Sequence, residues 1–198
     1  MKDWEVRAIR EGRKTQSRQI VKPQPTLFTP SPSTGCGPFY QQKGREFFMD
    51  GASAAMNCPY GQPGDRLWVR ETWSSDFAKH YPHDCVWYAA DDDRKKDITV
   101  RNGVRGIFSP ENQEHVPFRW RPSIHMPRWA SRITLEIVSV RAERLQDISE
   151  ADALAEGITH ITMNAPRIEY RWLWGNIKGS NSWDANPWVW VPEFKVVK

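Results

Sequence analysis

The stretch EGRKTQSRQIVK, residues 11–22, carries Arg13, Lys14, Arg18 and Lys22, with the hydroxyls of Thr15 and Ser17 among them. Lys14 and Ser17 stand three apart. A lysine that has lost its proton through burial or neighbouring cations takes the proton of a serine hydroxyl and turns it into a nucleophile. Arg13 and Arg18 act on Lys14 in that direction. The spacing serves such a pair only in a turn, because an extended chain points the two side chains to opposite faces. In that case the segment is a solvated basic surface. Glu156, in ISEADALAEG, is the third candidate. It falls in the last turn of an expected helix, where the macrodipole disfavours an anion and so favours the protonated form that a general acid needs. A solvated carboxylate loses little there, so a surface acid is the competing account. Glu150 and Asp152, near the start of the same helix, read as dipole-matched capping charges.

A second group of residues points to a polyanion. The net charge is +4, and two segments hold all of the excess. Residues 1–22 carry seven Lys/Arg against three acids, and residues 119–132, RWRPSIHMPRWASR, carry Arg119, Arg121, Arg128 and Arg132 with no acid. The second segment interleaves its arginines with Trp120 and Trp129, in a chain that has 11 tryptophans. Cations for phosphates beside flat rings for bases suit a nucleic acid or nucleotide. A solubilising surface with Arg–Trp packing has the same composition. His125 is an acid/base, a phosphate ligand or a hydrogen-bonded structural residue.

Other chemistries lack their residues. There is no HExxH, no glycine-rich phosphate loop and no ordered Ser/His/Asp set. Cys36, Cys58 and Cys85 are an odd number without CxxC spacing, which fits a reducing compartment. A zinc site from these plus His80 or His83 has no recognisable ligand pair, and we expect neither metal nor cofactor. No apolar run approaches the roughly 20 residues of a membrane span, and no hydrophobic leader opens the chain. We therefore expect a soluble, cytoplasmic protein with no membrane partner.

The elements that must position these residues are short. With 198 residues, one domain with long loops is expected. Asp3 can cap a helix that carries Val6 and Ile9 and ends at Gly12. Seven prolines between Lys22 and Pro63 give a long irregular loop. Gly64-Asp65 turns into a strand with Leu67, Val69 and Glu71 alternating against Trp68, Arg70 and Thr72. CVWYAA, from Cys85, is a second strand, residues 97–119 look irregular, and RITLEIVSV is the clearest strand. DISEADALAEGI is a two-turn helix with Ser149 as N-cap and Gly157 past its end. PWVWVPEFKVV closes the chain as a strand in which Pro192 calls for an edge or a bulge.

Taken in order, EGRKTQSR, PGDRLWVRETW, ISEADALAEGI and WVWVPEFKVV resemble the ASCH family of the PUA-like superfamily. CPYGQPGDRLWVRETW and WRPSIHMPRWASRITLEI are similar to its phage- and prophage-encoded branch. The resemblance spans residues 1–198, with the loops at about 23–57, 74–118 and 159–182 least constrained. It implies an α+β fold: a PUA-like pseudo-barrel of about five to six strands, with short helices and long loops. It also implies a cleft that takes RNA, a nucleoside or a modified base. In an amidohydrolase of the family that acts on N4-acetylcytidine, the motif lysine is the base, the second hydroxyl the nucleophile and a helix acid the proton donor. These positions fall on Lys14, Ser17 and Glu156. Other members are ribonucleases, so the expected activity is hydrolysis of RNA or of a modified cytidine. The alternative is a non-catalytic reader, with Arg13, Arg18, Arg121 and Arg128 holding phosphates, Trp120 or Trp129 stacking a base, and His125 nearby. Ser17 replaces the usual Thr, and only MKDW precedes the first helix, where the family begins with a strand. The long loops leave room for a protein partner.

Overall fold

The computed structural model describes residues 1–24, 39–42, 45–48, 58–75, 86–91, 97–109, 113–158 and 165–197. In chain order these hold helix α1 (Asp3–Arg10) and strands β1 (Gln19–Ile20), β2 (Phe39–Gln42), β3 (Arg45–Phe48), β4 (Arg66–Trp68) and β5 (Trp73–Ser74). Strands β6 (Trp87–Tyr88), β7 (Ile98–Arg101), β8 (Val104–Ser109), β9 (Glu114–Pro117) and β10 (Thr134–Arg144) follow, then helices α2 (Glu150–Ala155) and α3 (Pro166–Lys178) and strand β11 (Trp188–Val196). The fold is α+β: a curled antiparallel sheet, several smaller sheets and few helices. Among the described residues no helix is long and apolar enough to cross a membrane. Two compact units divide the chain, one of Met1–Ala8 and Trp68–Thr134, the other of Ile9–Leu67 and Leu135–Val197.

The second unit is built on the sheet β1-β11-β10-β4. β11 reads WVWV because it is covered on both faces. Trp190 packs with Val21, Ile137 and Val140 on one side, while Val189 and Val191 pack with Leu145, Ile148, Tyr170 and Trp174 on the other. Those last residues bring α2 and α3 onto the sheet. α2 starts as its sequence dictates: Ser149 and Asp152 form a reciprocal capping box, and Gly157, at φ +90°, takes the left-handed turn after Glu156.

Pro192 was expected at an edge or a bulge, yet β11 lies inside the sheet between β1 and β10. The register against β10 shifts between Ile137 and Ser139, two residues from the Val140–Pro192 pair. On the other side Pro192 offers only its carbonyl, which accepts the Ser17 amide at 3.2 Å. With no N–H to give back, it breaks the pairing into a bridge at Gln16–Glu193 and the two-residue β1.

In the first unit β7-β8-β9 form an antiparallel sheet whose Ile98, Ile107 and Val116 meet Trp87 and Phe118. This corrects the irregular reading of residues 97–119. Each strand is brief and contributes one core side chain, too little to set a visible period. The helix α3 likewise replaces most of the loop expected over 159–182, and the hairpin β2–β3 interrupts that over 23–57. The remainder of that segment, apart from residues 23–24, lies outside the described residues. The strand expected from Leu67 to Thr72 divides into β4 and, further on, β5, which pairs with β6 in CVWYAA. Its alternation persists: Val69, Glu71 and Trp73 are buried, Arg70 exposed.

Arg132 ties this unit together. Its guanidinium donates to both carboxylate oxygens of buried Glu71 (3.0 and 2.8 Å) and of Asp91 (2.6 and 3.0 Å), and lies 3.8 Å over the Tyr88 ring. Burial pushes Arg132 down, but the two carboxylates outweigh it and hold the charge firmly in place.

Candidate functional site

After α1 the chain runs extended and pairs on two sides. Thr15 and Gln16 donate their amides to the Ala155 carbonyl at 2.8 and 3.2 Å, while the Thr15 carbonyl accepts from the Phe194 amide at 2.7 Å. The segment thus lies between the end of α2 and β11, and its side chains alternate. Lys14, Gln16 and Arg18 point inward and are at most 3% exposed, whereas Thr15 is exposed and Ser17 half-buried.

Inside, Lys14 Nζ donates to Glu156 Oε2 at 2.8 Å and to the Glu156 carbonyl at 3.0 Å. Arg18 donates to Glu156 Oε1 at 3.0 Å and to Glu143 Oε1 at 2.6 Å, and stands 3.5 Å from Asp152 Oδ2. Gln16 Nε2 reaches Asp152 Oδ1 at 3.1 Å and its carbonyl at 2.7 Å. Arg141 completes the cluster through Asp152 (2.7 Å), Glu143 (2.9 Å) and Glu193, whose other oxygen accepts from Ser139. Burial raises the Asp152 carboxyl, but hydrogen bonds from Ser149 and Gln16 and the charge of Arg141 outweigh it and hold the group below its ordinary value. Arg141 is pushed down by burial and, more strongly, up by Glu143, Asp152 and Glu193.

This arrangement unites Lys14 with Glu156 and leaves Ser17 outside. Among the described residues no hydrogen bond joins Ser17 to Lys14; the Ser17 hydroxyl accepts instead from Gln19 Nε2 at 3.3 Å. A buried lysine that donates twice, once to a carboxylate, acts as an ammonium partner. Arg18 is equally engaged and too buried to meet a phosphate. Arg13 is partly exposed, with its Nε 2.7 Å from Glu11 Oε2. Gln16, Arg141, Glu143 and Glu193 were absent from the sequence reading, although the alternation of Lys14-x-Gln16-x-Arg18 and Arg141-x-Glu143 marks one inward face on each strand. Asp152 caps α2, as expected, and also joins the cluster.

The residues of the second segment gather in the first unit. Arg119, Trp120, Arg121, Pro122 and His125 line a cavity of about 510 Å³ open to solvent. Trp120 stands edge-on to Phe118 at 4.8 Å, and Arg121 lies 5.5 Å over the ring of buried Trp73. Trp129 meets the same Trp73 edge-to-face at 5.8 Å. Arg70 and Arg128 lie 4.5 and 5.9 Å over Trp68, and Arg128 also donates to Thr134 Oγ1 at 3.3 Å. Trp68, Arg70 and Trp73 were not expected at this surface. Only their place on the alternating stretch from β4 to β5 could have signalled them. Among the described residues no three His, Cys, Asp or Glu side chains gather as a metal site. Cys58 is buried, and Cys36, Cys85, His80 and His83 lie outside the described residues.

No family model, no curated protein and no solved structure matches this chain.

Proposed function

We propose that this chain is an ASCH-type, PUA-like module that binds single-stranded nucleic acid, RNA foremost, through the cationic aromatic surface of its first unit. One observation carries the reading: an open cavity of about 510 Å³ lined by two arginines, a tryptophan, a proline and a histidine, on a stretch without acids. Guanidinium groups answer phosphates, and the half-buried indole of Trp120 gives a base something to stack on. Labelled single-stranded RNA titrated at several salt concentrations tests it. Binding that weakens with salt is expected, and Arg119→Ala should lower the salt slope by about one while Arg171→Ala leaves it unchanged. Absent binding, or binding indifferent to Arg119→Ala, sinks the reading.

A hydrolytic reading draws on a different observation, the meeting of Lys14 with Glu156 at 2.8 Å. This is the lysine and acid that the ASCH resemblance calls for. Ser17→Ala tests it cleanly, because that hydroxyl stands outside the buried cluster. Loss of RNA or N4-acetylcytidine with the unaltered protein but not with Ser17→Ala supports hydrolysis, and equal rates or none refute it.

A further inference from the structure

We infer that this surface has two base-stacking positions, one in the cavity at Trp120 and one at Trp129, so that its ligand is an unpaired strand of roughly three nucleotides or more. The inference rests on the nucleic-acid reading and specifies the ligand class.

Trp129 is 68% exposed, a costly position for the largest apolar side chain, yet it is not loose. It stands edge-to-face on Trp73, which is 2% exposed and belongs to the cluster with Met126 and Ala130. An exposed ring on a buried anchor loses little conformational entropy when a base covers it. Trp73 also carries Arg121, which lines the cavity. Trp129 and the Arg121 guanidinium therefore lie no farther apart than their two distances to Trp73 combined, about 11 Å. Successive nucleotides in one strand of a duplex stand about 3.4 Å apart, and an unstacked strand reaches farther per nucleotide, so about three steps or fewer cover that span from Trp129 to the cavity's Arg121. Arg128, next to Trp129 in sequence, is exposed and held against Trp68, where Arg70 lies as well. Phosphate partners thus accompany both rings.

Two stacking positions discriminate among ligands. A free nucleotide fills one of them and leaves the other in water. A duplex keeps its bases stacked on each other and presents only phosphates, so it gains the salt-sensitive part of binding alone. Strands long enough to reach both rings gain both.

The test compares fluorescence titrations of uridine mono-, di-, tri- and hexanucleotides, a DNA hexamer of the same length and an RNA duplex. It uses the full chain, Trp129→Ala and Trp129→Phe. Affinity should rise at least fivefold from the mononucleotide to the trinucleotide and then flatten. Trp129→Ala should remove that rise, lowering trinucleotide affinity several-fold more than mononucleotide affinity, and Trp129→Phe should restore most of it. The DNA arm tells whether a 2′-hydroxyl is read. A mononucleotide as tight as the trinucleotide, or equal loss on both from Trp129→Ala, overturns the two-position inference while leaving the cavity reading intact. Failure of every oligonucleotide to bind removes the nucleic-acid reading itself.

Discussion

Glu156→Gln is the most informative single change to the buried cluster. It keeps the size of the side chain, turns one of its two acceptor oxygens into an NH2 donor, and removes the charge that faces Lys14 at 2.8 Å and Arg18 at 3.0 Å. The side chains of all three are at most 5% exposed, so solvent screens little of the loss. Arg18 retains Glu143 and Asp152, but Lys14 is left with one carbonyl oxygen. Breaking a buried pair costs about 3–5 kcal/mol. Because one of the two cations keeps partners, the lower end, about 3 kcal/mol, is expected. Lys14→Met is gentler, about 1–3 kcal/mol, since Glu156 still has Arg18 and only acceptors lose a donor. The double variant removes both members, so its loss should fall short of the sum of the single losses by about 1–3 kcal/mol. Urea unfolding followed by far-ultraviolet circular dichroism reads these numbers, and raised salt should change them little because the pair is out of reach of screening ions. A loss below about 1 kcal/mol for Glu156→Gln, or strict additivity, would refute the pairing described here.

Asp152 gives a pH-dependent test. Its carboxyl is held below its ordinary value, so the stability it adds is complete above the unfolded value of 3.8 and disappears as pH falls through the folded one. The Tm gap between the protein and Asp152→Asn should be constant near neutrality and close in acid; a gap that widens in acid contradicts the Arg141 and Gln16 contacts. In β8, Gly106→Ala would put a methyl 2.4 Å from the Val116 carbonyl oxygen and 2.5 Å from His115 Cε1. We expect a lower urea midpoint, worth about 1–3 kcal/mol, and an unchanged midpoint would speak against the β8–β9 register. Burial also pushes the Cys58 thiol up, against weaker lowering by the Tyr60 and Gly61 backbone. Its alkylation, followed by mass spectrometry of its own peptide, should be slow in the folded protein at mildly alkaline pH and fast in urea.

What the sequence reveals depends on how local the deciding contacts are. α2 is legible because its capping box and its terminal glycine sit within nine residues. β10 is legible because Leu135 and Ile137 alternate over a long run. In contrast, α3 buries only Pro166, Tyr170 and Trp174 on a four-residue spacing, while exposed Ile168, Trp172 and Ile177 blur the stripe. The Lys14–Ser17 relation is least legible of all. Turn and strand both fit those four residues, and the choice is made by the Ala155 carbonyl and by Pro192, well over a hundred residues away.

That distant choice also separates the two basic segments, which look alike as composition. Lys14 and Arg18 are committed to carboxylates on α2 and β10, Arg13 to Glu11, and Arg7, Arg10 and Lys22 are engaged as well. The acid excess of the remaining chain is thus partly spent neutralising residues 1–22 from within. In residues 119–132 Arg132 is matched this way, by Glu71 and Asp91, and Arg121 is engaged too. Arg119 and Arg128 stay exposed and have no carboxylate partner among the described residues, so their charge is free to act on a ligand. Exposed positive charge without a carboxylate partner among the described residues is thus found in the second segment, at Arg119 and Arg128. Reversing charge at Arg119 and Arg128 together should abolish binding of a polyanion, whereas the same reversal at Arg13, already matched by Glu11, should leave it nearly intact. Equal effects at both places would mean that composition, and not pairing, decides where a polyanion docks.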